Sequence, residues 1–281
     1  MIEYLIIAIL QGLLEWLPIS SSGQVMIVSM NLFDIPAEQA FSLTIWLHLG
    51  TTLAVLLKFR TDFVQIFKNF MPKAYKKEDI DVRKRNWLIY ATLGTGITAL
   101  PLYFIFKIII LETFTAFQGD LITLVVCGLL IITGIILLKT RKIYGKNNLE
   151  DVPQNIIPKD SALSGLIQGV SILPGISRSG VTVSIILLER YNQSTALRLS
   201  FLMSVPVAIA SILVDIIFGG GSILGTISPI SIISVTLVAF LIGYLSIEVL
   251  LQIAQKISFG YFCILYGVIA YLIIVPFLII P

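Results

Sequence analysis

The stretch Pro174-Gly175-Ile176-Ser177-Arg178-Ser179-Gly180 places an arginine between two serines and two glycines, inside a chain that is otherwise mostly apolar. A guanidinium at bilayer depth costs roughly 3 kcal/mol on insertion scales, so it needs a partner or a function. Glycines let the backbone approach a ligand, main-chain N–H groups form an anion-binding nest, and arginine binds an oxyanion through its planar fork. The stretch therefore predicts a phosphate site buried among hydrophobic helices.

The rest of the sequence has the composition of an integral membrane protein. Of its 281 residues, 57% are hydrophobic and only 12% are charged, which is about half the charged fraction of a soluble domain. We expect the lipid bilayer as a partner and no nucleic acid. Six apolar runs are long enough to cross the hydrocarbon core as helices. They cover 41–57, 87–110, 121–138, 196–218, 230–253 and 260–280.

Two further apolar stretches, at about 5–30 and 163–188, are broken near their middle by Gly, Pro and Ser. Interrupted segments of this kind are typical of re-entrant helical hairpins that line a cavity. The two stretches also resemble each other, because Gln11-Gly12 and Ser20-Ser21-Ser22-Gly23 align at one common offset with Gln168-Gly169 and Ser177-Arg178-Ser179-Gly180. The alignment indicates an internal repeat.

The distribution of positive charge predicts the orientation of the two halves. Lysine and arginine crowd into the loops Lys58–Arg85 and Lys139–Lys159, and the positive-inside rule places both loops in the cytoplasm. The two hairpins then enter from opposite sides, so their Ser/Gly loops meet near the midplane. We predict an all-α integral membrane protein with six transmembrane helices plus two re-entrant hairpins in an inverted-topology repeat. It is a single membrane domain over 1–281, with repeats at 1–140 and 160–281.

The first hairpin carries the candidate partner of Arg178. Gln11 and Glu15 are four residues apart and share a helix face, and Pro18 then breaks the helix ahead of three serines. A carboxylate at this depth could be a general base, a ligand of a hard cation or a counter-ion to Arg178. A purely structural Glu15–Arg178 pair is the alternative. Serines at a helix break often only cap the helix, but opposite an arginine loop they favour phosphate binding.

Other polar residues have weaker signals. His48, the only histidine, is expected to be a core imidazole bonded to a backbone group, although it could contact the cavity. Arg198 could anchor at the interface or reach the pocket. Asp215 is expected to be solvated near a span end. Cys127 and Cys263 lie in predicted spans and are interpreted as packing residues.

Two motifs, Glu15-Trp-Leu-Pro-Ile-Ser-Ser-Ser-Gly23 and Pro174-Gly-Ile-Ser-Arg-Ser-Gly-Val-Thr182, resemble the signature motifs of the undecaprenyl-diphosphatase (bacitracin-resistance) family of membrane proteins. The stretches 46–54 and 199–206 are similar to two further family blocks. The resemblance implies inverted repeats with two re-entrant hairpins. It also implies removal of one phosphate from an isoprenyl diphosphate at the outer face of a prokaryotic plasma membrane, which recycles the lipid carrier of cell-envelope glycans.

The resemblance also assigns roles to residues. It implies that Glu15, Ser21 and Arg178 are catalytic, Ser21 as the nucleophile and Arg178 as the phosphate ligand. The residues expected to bind substrate are polar neighbours of these three, namely Gln11, Ser20, Ser22, Gln24, Ser177, Ser179 and Thr182. Glu15 is also the expected ligand of a divalent cation, Mg²⁺ or Ca²⁺. A homodimer is a further hypothesis about partners.

Two positions depart from the family pattern. Gln11 stands where the family usually has a glutamate, and Gln24 stands where it usually has a histidine. Glutamine cannot act as a base near neutral pH, so Glu15 is left as the proton acceptor. The alternative is a transporter or flippase that binds polyprenyl phosphate without cutting it. A third hypothesis, an ion-coupled carrier of a small anion, fits the isoprenoid-length substrate of the family less well.

Overall fold

The computed structural model describes residues 1–68, 79–108, 119–140, 145–219, 227–256 and 259–279. Their regular structure is helical apart from an isolated bridge between Asn147 and Tyr191. The helices, in chain order, are α1 Ile2–Leu14, α2 Ser21–Phe33, α3 Ala37–Lys58, α4 Arg60–Lys68, α5 Asp79–Ile105, α6 Gly119–Thr140, α7 Ile157–Gly169, α8 Arg178–Leu188, α9 Gln193–Phe218, α10 Pro229–Lys256 and α11 Phe259–Ile279.

Five of the described helices are long and apolar enough to cross a membrane. Their apolar parts are Ala37–Lys58, Ile80–Ile108, Asp120–Thr140, Gln193–Phe218 and Pro229–Val249. The prediction of an all-α integral membrane protein is thereby confirmed. The sixth predicted span corresponds to α11, of which Gly260–Val275 is a shorter apolar helix. The predicted ends at 109–110 and 280, and part of each basic loop, lie outside the described residues.

The two interrupted stretches each form a pair of short helices, α1 with α2 and α7 with α8. Between α1 and α2, Pro18 has no N–H to donate and Ser20 takes a left-handed conformation with φ of 58°, which breaks the helix. Between α7 and α8, a 3₁₀ turn over Val170–Ile172 is followed by Gly175 with φ of 102°. Only glycine adopts this conformation without strain, so the break is fixed at that position.

The packing partners of the two halves correspond. The first short helix, α1, packs on α10, and α7 packs on α5; α3 contacts α10, and α5 contacts α9. Two further pairs, α3 with α9 and α6 with α11, join a helix of one half to the matching helix of the other. The hairpins therefore lie between layers of long helices from both halves.

Glycines let several of these helices approach closely. A Cβ added at Gly94 of α5 would lie 2.5 Å from the carbonyl oxygen of Ala162 on α7, and one added at Gly50 of α3 would lie 2.5 Å from the Thr236 carbonyl oxygen on α10. Small residues at helix contacts are how membrane helices gain van der Waals packing without a hydrophobic driving force. The tight crossings hold the hairpins in place.

Arg198 and Asp215 both bind side chains of another helix. Arg198 binds the Asp62 carboxylate of α4 through Nε and Nη2 of its guanidinium at 2.7–3.0 Å. It therefore links α9 to α4 rather than reaching the pocket. The expectation that Asp215 is solvated is wrong: it is 2% exposed and accepts hydrogen bonds from Ser42 at 2.8 Å and Trp46 at 3.0 Å. The cause is that α3 packs on α9 and supplies these donors.

Gly94→Ala tests the role of the α5–α7 contact. The added methyl meets backbone atoms that cannot move aside, so we expect a loss of about 1–3 kcal/mol in the free energy of unfolding. Gly96→Ala is the matched control, because a Cβ at Gly96 meets nothing within 4 Å. The control is expected to be neutral or stabilising. Denaturant unfolding in detergent measures both, and equal stability of the two variants would contradict the packing argument.

Candidate functional site

The broken hairpins bring their loops into direct contact. The hydroxyl of Ser20 caps α2 by accepting from the Gly23 N–H at 3.2 Å and also accepts from the Gly175 N–H of the other loop at 3.0 Å. A Cβ added at Gly23 would lie 2.8 Å from the Gly175 nitrogen, so only glycine allows this approach. One serine oxygen therefore fixes both the start of α2 and its position against the second hairpin.

The second loop repeats the capping arrangement of the first. Ser177 caps α8 by accepting from the Gly180 N–H at 3.1 Å, and its hydroxyl lies 3.4 Å from that of Ser179. In the first loop, the corresponding hydroxyls of Ser20 and Ser22 are also 3.4 Å apart. Thr133 of α6 braces the second loop by donating to the Gly175 carbonyl at 2.9 Å. Two capped helix N-termini thus face one another.

Glu15 lies at the centre of this contact and is only 5% exposed. Its Oε1 accepts from Arg178 Nη2 at 2.5 Å. Its Oε2 accepts from the Ser21 hydroxyl at 2.6 Å and from the Gln11 amide at 2.8 Å. Opposite charge and hydrogen bonds are what a buried carboxylate needs. The predicted pairing of Glu15 with Arg178 is present, and it joins one hairpin to the other.

His48 of α3 completes the surroundings of Glu15. Its Nδ1 lies 2.5 Å from the Thr44 carbonyl oxygen, and its Nε2 lies 3.4 Å from Glu15 Oε2. Because a carbonyl oxygen only accepts, Nδ1 carries a proton, and in the neutral ring the lone pair of Nε2 faces the carboxylate. The expected bond to a backbone group is confirmed, and the ring also reaches the site.

These groups line one open cavity. The lining combines α3, both hairpin loops and facing parts of α5, α7 and α9. The site residues at its wall are Glu15, Ser20, Ser21, Ser22, His48, Ser177, Arg178 and Ser179. The cavity is therefore polar at the hairpin loops, although the helices around it are apolar.

Three of the predicted substrate-binding residues lie behind this wall. Gln11 supports Glu15 from inside α1. Thr182 donates to the Arg178 carbonyl at 2.7 Å and lies 2.6 Å from the Ser200 hydroxyl. Gln24 is buried in α2. None of the three is among the described residues that line the cavity, so their direct contact with a ligand stays a prediction.

Three buried polar atoms of predicted site residues have no hydrogen-bond partner among the described residues. Within the described part of the chain, Gln11 Oε1, Gln24 Nε2 and Arg178 Nε are buried and have no hydrogen-bond partner. Buried polar groups are nearly always hydrogen-bonded, so each exception calls for an explanation. Arg178 Nε is thus a donor that the described side chains and backbone leave without an acceptor.

The described side chains do not fit a resident cation. No group of three His, Cys, Asp or Glu residues among them could hold a metal ion. Both Glu15 oxygens already accept from protein donors, whereas Ca²⁺ takes about six to eight oxygen ligands and Mg²⁺ needs a near-octahedral set. Mg²⁺ or Ca²⁺ at Glu15 stays an untested prediction, and no chemical step is assigned to it.

The similarity to known proteins extends over most of the chain, including both Ser/Gly motifs. A family model described as "Bacitracin resistance protein BacA" matches residues 4–272. Proteins named undecaprenyl-diphosphatase are similar along most of the chain. The protein of Methanothrix thermoacetophila is 36% identical over 273 residues, which are 95% of this chain and 94% of the relative.

Two other relatives with the same name show similar coverage. The protein of Methanococcoides burtonii is 35% identical over 274 residues, covering 96% of this chain and 97% of the relative. The protein of Methanopyrus kandleri is 33% identical over 267 residues, covering 94% and 93%. With the family match extending over residues 4–272 and with both Ser/Gly motifs joined at one site, the chain belongs to the BacA family of bacitracin resistance proteins.

Proposed function

We propose that this chain hydrolyses a polyprenyl diphosphate of the undecaprenyl type to the monophosphate and inorganic phosphate. The product is a lipid carrier that returns to cell-envelope glycan synthesis. The observation that carries the proposal is the row formed by Arg178, Glu15 and Ser21, with hydrogen bonds of 2.5 and 2.6 Å to opposite oxygens of one carboxylate. The name undecaprenyl-diphosphatase, which the relatives carry, supports the substrate.

Arg178 and the two helix N-termini bind the terminal phosphate in this proposal. Glu15 occupies Nη2 of the guanidinium, while Nε has no partner. The first N–H groups of α2 and α8 have no intrahelical acceptor, and the helix dipoles make both ends favourable for an anion. The negative charge that develops on the leaving group and on the phosphoryl oxygens is stabilised by the same donors.

Glu15 is placed to accept the proton of the nucleophile. The Ser21 hydroxyl, or a water molecule in its place, attacks the terminal phosphorus and gives its proton to Glu15 Oε2. The bond from that phosphorus to the bridging oxygen breaks, and the lipid monophosphate leaves with the electron pair. Where Ser21 is itself the nucleophile, water then hydrolyses the phosphoserine and releases phosphate. A distance of 2.6 Å between Ser21 Oγ and Glu15 Oε2 is within reach for general-base catalysis.

His48 offers the next acceptor for that proton. Its Nε2 is 3.4 Å from Glu15 Oε2, and 23% of its side chain is exposed against 4% for Glu15. A proton on the buried carboxylate can therefore pass through the imidazole to the cavity. We propose that His48 supplies the histidine function that Gln24 cannot.

The fold supports an inverted repeat with six spans. Two superimposable halves would give paired contacts and matching caps. The contacts of α1 with α10 and of α7 with α5 form such a pair, and Ser20 and Ser177 cap α2 and α8 in the same way. We infer that the hairpins enter from opposite faces of the plasma membrane and that the cavity opens toward the outer face. The positive charge of the loops before α5 and α7 supports this orientation.

Phosphate release in detergent tests the proposed reaction. Arg178→Ala and Glu15→Gln are each expected to lower turnover by roughly 10²–10³, since each removes charge stabilisation or the proton acceptor. His48→Gln is expected to lower turnover by a smaller factor, on the order of 10–10². Lys58→Gln, which removes an exposed pair with Glu248, is the control and should retain wild-type turnover.

Two outcomes would contradict the reaction. One is full turnover in both Arg178→Ala and Glu15→Gln. The other is wild-type protein that moves polyprenyl phosphate across vesicles but releases no phosphate, which would establish the flippase alternative instead. Turnover of Lys58→Gln shows whether a loss reflects the site or the general state of the protein.

Cysteine labelling tests the orientation. Lys159 lies in the first turn of α7 and Ser228 precedes α10, and both are exposed. Native Cys127 and Cys263 are fully buried, so background labelling by a membrane-impermeant thiol reagent should be low. We expect Ser228→Cys to react in intact cells and Lys159→Cys to react only after permeabilisation. Labelling of both from the same side would contradict the inverted arrangement.

A further inference from the structure

An apolar groove between α5 and α9 continues the polar cavity. The groove and the cavity share the lining residues Thr95, Ala99, Ile172, Val207 and Ser211. Beyond these, the groove is lined mainly by apolar side chains of the two long helices. The cavity and the groove therefore adjoin each other along α5 and α9.

We propose that this groove holds the first part of the isoprenoid chain of a lipid phosphate whose head group lies at Arg178. The inference rests on the proposed function for the identity of the head group. An anionic head matches the serines and arginine of the cavity, whereas a hydrocarbon chain loses free energy among polar groups and gains it against apolar walls. The groove is the apolar exit that adjoins the head-group site.

The walls of the groove also lead to the bilayer. Leu100, which lines it, is 43% exposed, and Leu213 of α9 beside it is 53% exposed. The lining runs along α5 from Thr92 to Tyr103, a rise of about 17 Å along the helix. The rest of a long polyprenyl chain must therefore leave the protein sideways and lie among the membrane lipids.

Gly96 keeps the groove open. A Cβ at Gly96 meets nothing within 4 Å, whereas a Cβ at Gly94, two residues earlier, would lie 2.5 Å from the Ala162 carbonyl oxygen. Gly94 therefore serves helix contact, and Gly96 does not. Gly96 lines the groove, so a large side chain there would occupy space in the groove.

The pair of helices that the repeat relates to α5 and α9, namely α10 and α3, is in close contact at Gly50. There α3 meets α10 so closely that an added Cβ would lie 2.5 Å from Thr236 O and 2.7 Å from Ala239 Cβ. The contact of α3 with α10 corresponds in the repeat to that of α9 with α5. At Gly50 the symmetry-related contact is therefore closed, whereas α5 borders open space at Gly96.

Binding of two phosphates of different chain length tests the proposal. The probes are undecaprenyl phosphate and a five-carbon prenyl phosphate, titrated onto full-length protein in detergent. Gly96→Phe is expected to weaken the binding of undecaprenyl phosphate by about tenfold or more relative to the binding of the short probe. The reason is that the phenyl ring covers apolar surface of the groove against which the chain would otherwise pack. Gly96→Ala, and Ile97→Phe on the lipid-exposed face of α5, should keep the wild-type ratio.

Several results would contradict the proposal that the groove holds the isoprenoid chain. One is an unchanged ratio of the affinities for the two probes in Gly96→Phe. The others are an equal loss of affinity for both probes in Gly96→Phe, and a loss in Ile97→Phe as large as that in Gly96→Phe. Competition by a phospholipid that is itself weakened by Gly96→Phe would mean that an ordinary acyl chain occupies the groove. The measurement reads binding and not turnover. Wild-type protein that binds undecaprenyl phosphate but releases no phosphate from the diphosphate would therefore contradict the proposed reaction and leave the proposed groove site intact.

Discussion

The contact between Glu15 and Arg178 is the interaction on which the rest of the structure depends. A guanidinium and a carboxylate at membrane depth are each costly without a partner. Here one comes from each hairpin, at 2.5 Å, so neither half is electrostatically complete alone. The breaks in both hairpins follow from this need, because only an interrupted helix can present a charged side chain and free backbone N–H groups at the same depth.

Serine and glycine make the meeting of the loops sterically and chemically feasible. Ser20 accepts from Gly23 and from Gly175, so capping a helix and docking the opposite loop are done by one oxygen. The same compact arrangement leaves the N-termini of α2 and α8 directed toward one cavity. A site that is complete only when both halves are assembled gives a membrane enzyme a polar reaction chamber whose outer walls remain apolar.

Much of the site was predictable because its signals are local. Pro18, the serine caps and the charge of Arg178 act within a few residues of their own positions, and the repeated pattern predicted that the two loops meet. His48 was harder, since its distance from Glu15 depends on how α3 packs against α1. The family block at 46–54 contains His48, but it does not place the side chain beside Glu15. Asp215 was misjudged for the same reason, because Ser42 and Trp46 reach it from another helix.

Glycines illustrate the limit of sequence reasoning most directly. Gly94 and Gly96 lie two residues apart in one apolar helix, yet the first is pressed against α7 and the second borders open space. Nothing in the residue pattern separates them, because the difference arises from the spacing between helices. The groove beside the cavity was therefore visible only once the packing of α5 and α9 was known.

The most direct test of the central claim is a double-mutant cycle on Glu15→Gln and Arg178→Gln, read as free energy of unfolding in detergent. If the two side chains hold the halves together, each single variant leaves an uncompensated buried charge and loses about 3–5 kcal/mol, while the double variant loses clearly less than the sum. Additive losses would contradict the account, since they would mean that the two groups stabilise the protein independently.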